Sequence, residues 1–154
     1  MINEVLAFAK ASIGTKEGVN NDNPFAKIAR HANNQPWCMT FVYACFVKGN
    51  AYGQIMNTAS CPQLETWARK NNMLVPIEEI QPGDVVLFDF SKKGVSEHVG
   101  IATGRYNAEK KEINTIEGNT SDGSGKGKSQ ANGDGVYARH RSASLVRAVV
   151  RPKW

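Results

Sequence analysis

The chain has 154 residues, enough for one real hydrophobic core and too few for two domains. At 41% apolar and 21% charged it has the composition of a globular protein, and no apolar run approaches the ~20 residues that span a bilayer. The net charge of +5 is unevenly placed: residues 1–135 balance 14 Lys+Arg against 14 Asp+Glu, while 136–154 hold Arg139, Arg141, Arg147, Arg151 and Lys153 and no acid. That end is either a solvated sheet face or a weak attractor of an anionic polymer.

The N-terminus has no basic region followed by a long apolar run, so no signal peptide is expected and the chain is expected to be made in the cytoplasm. Val5, Leu6, Ala9 and Ile13 predict an amphipathic helix capped by Asn3 and stopped by Gly14. After a polar, Asn-rich loop, Asn23-Pro24 predicts a short second helix with Phe25, Ile28, Ala29 and Ala32 inward. A third begins after Pro36, carries Phe41, Val42, Cys45 and Phe46 on one face and ends at Gly49. Ser60-Cys61-Pro62 opens a fourth, with Leu64, Trp67 and Ala68 buried. The period then changes. Residues 85–88, 99–104, 112–117, 136–141 and 145–151 read as strands, with a hairpin turn near Asn107-Ala108 and a long Gly-rich loop over 119–135. Helices first and strands after predict an α+β fold, N-terminal helices packed on a C-terminal antiparallel sheet.

Three cysteines without paired spacing argue for free thiols, and no Cys/His cluster has zinc-ligand spacing. Cys38 falls in the first turn of the third helix, where the positive end of the dipole favours a thiolate. If the hairpin centres between Asn107 and Ala108, His98 faces Glu117 across the strands and Asn119 projects to the same side. A one-residue slip would put His98 and Glu117 on opposite faces. Cys38 would then be the nucleophile, His98 its base and acid, and Glu117 the group that orients the imidazole. The Cys38 N–H and the Gln35 side chain are candidate oxyanion donors, with Trp37 beside them at the substrate. Cys45 reads as a small core residue and Cys61 as a rival nucleophile without an identifiable partner. His31 reads as a helix-terminal charge and His140 as surface.

At these residues the chain resembles the CHAP family, the cysteine- and histidine-dependent amidohydrolase/peptidases. Pro36-Trp37-Cys38-Met39-Thr40-Phe41-Val42 is similar to the family's nucleophile segment. His98-Val99-Gly100-Ile101 resembles its histidine motif, and Ile116-Glu117-Gly118-Asn119 its acidic-partner motif. Ser60-Cys61-Pro62, Gln81-Pro82-Gly83-Asp84-Val85-Val86-Leu87-Phe88, Gly135-Val136-Tyr137 and Arg151-Pro152 fill in the order, the last two as in phage endolysins. The resemblance implies a papain-like fold over 1–154 as one catalytic domain. It implies peptidoglycan hydrolysis at an amide bond, by a muramoyl-alanine amidase or a stem or cross-bridge endopeptidase, with Cys38, His98, Glu117 and Asn119 in the site. Some members bind calcium ahead of the cysteine. Here His31-Ala32-Asn33-Asn34-Gln35-Pro36 has no carboxylate, so no metal and no other cofactor is expected. The expected partners are peptidoglycan and an anionic wall polymer at the basic end, with no nucleic acid, no membrane and a monomeric state. The protein would reach the wall through a phage-made hole in the inner membrane. Two alternatives stay open: an amidase acting on a small molecule such as a glutathione conjugate, and a non-catalytic basic wall-binding module.

Overall fold

The computed structural model describes residues 1–124 and 129–154; the part of the expected Gly-rich loop at 125–128 lies outside the described residues. Helix α1 (Ile2–Ala11) buries Val5, Leu6 and Ala9, but Met1 rather than Asn3 occupies the cap. It ends at Ser12, whose hydroxyl donates to the Phe8 carbonyl at 2.8 Å. Ile13 lies beyond the helix and is exposed. Helix α2 (Phe25–Ala29) starts where the Asn23 carboxamide oxygen accepts from the Phe25 and Ala26 N–H groups, and stops at Arg30 in the left-handed region, which leaves Ala32 exposed rather than inward. Helix α3 (Cys38–Lys48) is buried from Cys38 to Phe46 and is the central helix. Helix α4 (Cys61–Lys70) is capped by Ser60, whose hydroxyl accepts from the Gln63 N–H.

Six antiparallel strands follow: β1 (Leu74–Val75), β2 (Val85–Phe88), β3 (His98–Ala102), β4 (Glu112–Thr120), β5 (Gly135–Ser142) and β6 (Val146–Val150), in the order β1-β6-β2-β3-β4-β5. Only the two-residue β1 has no counterpart in the sequence reading. Period-two alternation sorts the sheet into two faces. Val85, Leu87, Val99, Ile101 and Ile116 join the core that α1, α2, α3 and α4 close. Val86, Phe88, Ala102, Ile113 and Val149 form a smaller cluster with Ile80 on the other face.

The expected Gly-rich loop is in part tied down. The Gly133 N–H donates to the Asn119 carbonyl at 2.9 Å, the Glu17 N–H to the Asp134 carbonyl at 2.8 Å, and Gln130 bridges Ser121 to Arg139 and Arg141. The basic C-terminal end also looks inward. Arg141 pairs with Glu117, Arg147 with Glu65 and Arg151 with Asp84. Three of the five cations expected to face an anionic polymer are thus matched inside the chain. Among the described residues no helix is long and apolar enough to cross a membrane.

Candidate active site

The site is assembled by α3, β3 and β4, and two glycines let them meet. Gly118 faces the start of α3: a Cβ there would stand 2.5 Å from the Phe41 Cβ and 2.9 Å from the Trp37 ring. Its bare backbone lets the first turn of the helix sit directly on β4. Gly100 lies opposite Glu117, and a Cβ there would stand 2.6 Å from the Glu117 Cγ. The missing side chain leaves the path along which Glu117 crosses to His98.

This corrects the expected register. Ile101 faces Ile116 and Ala102 faces Thr115, so Glu117 falls against Gly100 and not against His98. The shift moves each partner by two residues, and an even shift preserves the face. Glu117 therefore still reaches His98, diagonally: His98 Nε2 donates to Glu117 Oε1 at 2.8 Å, with both residues fully buried. A carboxylate only accepts, so Nε2 carries the proton.

Arg141 is the member that sequence reasoning missed. It reads as one of several basic residues on a closing strand, yet β5 places it 4% exposed beside Glu117. Its Nε donates to Glu117 Oε2 at 2.9 Å and its Nη2 to Oε1 at 2.5 Å, a two-pronged pair. Thr115 donates to Oε2 at 2.5 Å. The guanidinium also lies over the Phe90 ring at 4.7 Å. Its one advance signal is parity: Arg141 faces Ile113 across β4/β5, the same alternation as Glu117.

Electrostatics follow from these contacts. Burial pushes the Glu117 carboxyl up, but Arg141 and then His98 outweigh it and hold it at about 2. Burial likewise pushes His98 down, yet Cys38 and Glu117 overcome this and raise it to about 9. The Cys38 thiol is held well below its ordinary range, first by a hydrogen bond from Cys61, against burial, and then by His98. Both shifts favour a thiolate beside an imidazolium over a neutral thiol beside a neutral imidazole. His98 Nδ1 has no hydrogen-bond partner within the structure, and the Cys38 sulfur is the leading influence that raises the imidazole.

Asn119 sits at a β-bulge, where the β4/β5 register shifts between Glu117 and Thr120, with φ of 55°. Its side-chain amide is fully buried and neither its oxygen nor its nitrogen has a partner. Among the described residues, the buried side-chain polar atoms without partners are these two and His98 Nδ1. Such atoms are rare in folded proteins and concentrate where chemistry happens.

Other expected site residues fall elsewhere. Trp37 does not line a cleft: it is 1% exposed, stacks on Phe25 at 5.5 Å and donates from Nε1 to Glu17 at 2.9 Å. Gln35 is exposed on the loop three residues before Cys38. His31 lies past the end of α2 and hydrogen-bonds Thr40 and Asn57. His140 is exposed and contacts Asn114. Cys61, set aside for want of a partner, has one: its sulfur is 3.9 Å from that of Cys38.

The chain belongs to the CHAP domain family, whose model matches residues 30–119 and so includes Cys38, His98, Glu117 and Asn119. Its fold is that of solved endolysin structures. Endolysin LysIME-EF1 superposes with a TM-score of 0.55 at 20% identity over 99% of this chain and 64% of that one. Ly7917, crystallised with the hydrolyzing product of MDP, superposes with a TM-score of 0.54 at 14% identity over 99% and 63%. The chain thus spans just under two thirds of the length of either. No curated protein matches significantly.

Proposed function

We propose that this chain is the catalytic unit of a peptidoglycan hydrolase that cuts an amide bond through Cys38, His98 and Glu117. The observation that carries the reading is the buried chain Arg141–Glu117–His98, which fixes the imidazole through Nε2 and leaves Nδ1 unpartnered toward the Cys38 thiolate. The thiolate attacks the scissile carbonyl carbon, and the C=O electrons move onto oxygen. The Cys38 N–H, in the open first turn of α3, donates to that oxyanion; exposed Gln35 is the side-chain candidate for a second donor. The imidazolium gives its Nδ1 proton to the leaving amine, and a thioester remains on Cys38. Water, deprotonated by the now neutral imidazole, releases the acid. Glu117 keeps the ring aligned and supports its charged form throughout.

Family membership and the product bound to Ly7917 support a wall substrate over a glutathione-like amide. The bond is either the muramoyl-alanine amide or a peptide bond of the stem or cross-bridge. Action as a monomer, release through the inner membrane and a weak pull from anionic wall polymer belong to the same reading. The polymer would meet Arg139 and Lys153 rather than all five C-terminal cations. The test is digestion of purified walls by wild type and by Cys38→Ala, with mass spectrometry of the products. Wild type alone should release new amines, and the new N-terminus separates amidase from endopeptidase; equal digestion by both proteins overturns the nucleophile assignment.

A further inference from the structure

The mechanism above leaves Cys61 unused as a reactant. Its sulfur lies 3.9 Å from the Cys38 sulfur, and no disulfide joins them. Each cysteine is the first residue of its helix, so α3 and α4 converge on the two sulfurs by their positive ends. Both residues are buried, with 7% and 6% exposure, so the oxidant considered is a small one, hydrogen peroxide. A disulfide needs its sulfurs about 2 Å apart, so closure takes a further approach of roughly 2 Å.

We propose that Cys38 and Cys61 form a reversible disulfide that switches the nucleophile off, with Cys61 as the resolving thiol. The proposal shares with the hydrolase reading only the identity of the reactive sulfur. The Cys38 thiolate attacks one oxygen of hydrogen peroxide. The O–O bond breaks, hydroxide leaves, and the sulfur, oxidised by two electrons, becomes a sulfenic acid. The Cys61 thiol then attacks that sulfur. The S–S bond forms, the S–O bond breaks, and the hydroxyl departs as water with the thiol proton. The structure orders these steps. Cys61 is held in its thiol form first by its hydrogen bond to the Cys38 thiolate, then by burial and by that sulfur's charge. Once Cys38 is a neutral sulfenic acid, the charge is gone and Cys61 becomes the better nucleophile. A small dithiol reverses the bond. Cys45, fully buried within α3, is the internal control.

The experiment treats the folded, reduced protein with a several-fold excess of hydrogen peroxide and reads intact mass, a non-reducing peptide map and wall digestion. Wild type should lose two hydrogens, give a linked Cys38–Cys61 peptide, stop digesting walls and recover fully with dithiothreitol. Cys61→Ser should lose no hydrogens; it should gain two or three oxygens on Cys38 and stay inactive after reduction. A wild type that gains oxygens on Cys38 as readily as Cys61→Ser, or that links Cys38 to Cys45, overturns the proposal. The wild-type map decides even if the variant folds poorly. Because mass reports the disulfide and wall digestion by the reduced protein reports the hydrolase, either can fail without the other.

Discussion

Strand β4 separates two kinds of chemistry one residue apart. On the face toward the helices stand Ile116 and Gly118, one packed into the apolar core and one small enough for α3 to rest on. On the other face Thr115 and Glu117 are buried too, but in a charged network with Arg141 and His98. Both faces are dry. The first is stabilised by area removed from water. The second holds three charges, on Arg141, Glu117 and His98, whose desolvation must be offset by matched hydrogen bonds, so removing one partner is severe. Burial alone thus does not distinguish a packing face from a reactive one; what distinguishes them is which polar atoms are satisfied and which are left over.

The largest effect expected on this contrast is from Arg141→Ala. It strands a buried carboxylate, and a loss of about 3–5 kcal/mol is expected in denaturant unfolding. It also removes the main influence holding Glu117 low, so the acid limb of wall digestion should move to higher pH. Leu87→Ala on the helix face should cost about 2–5 kcal/mol through a cavity while the folded fraction keeps an unchanged pH profile. If both variants shift the profile alike, the two faces are not functionally distinct. Gly118→Ala is smaller in stability, about 1–3 kcal/mol, because its Cβ collides with Phe41. It should nevertheless lower kcat sharply, since lifting α3 carries Cys38 from His98; an active Gly118→Ala would break the argument for close seating.

The smallest effect is titration of the wild type. His98 is held at about 9 against an ordinary 6.5, so its contribution to stability is complete below 6.5 and is lost as pH rises through 9. Glu117, at about 2 against 4.5, contributes above 4.5 and loses that contribution as pH falls toward 2. Wall digestion should therefore decline through about pH 9 as the proton donor is lost. An alkaline limb centred near 6.5 would place His98 outside the thiolate–carboxylate pair.

The amino-acid sequence determined most of the elements and where along them Cys38, His98 and Glu117 fall. Helical spacing after Pro36 placed Cys38 at a helix start, and apolar runs marked β2, β3 and β6, because local periodicity is a property of neighbours along the chain. Face parity also survived, since a two-residue register change leaves alternation intact. Only the tertiary structure decided the rest. Arg141 comes to Glu117 across 24 residues, Cys61 to Cys38 across 23, and Trp37 turns into the core against Phe25. Those contacts join residues from different elements, and their partners are fixed by how helices and strands pack, which no local pattern encodes.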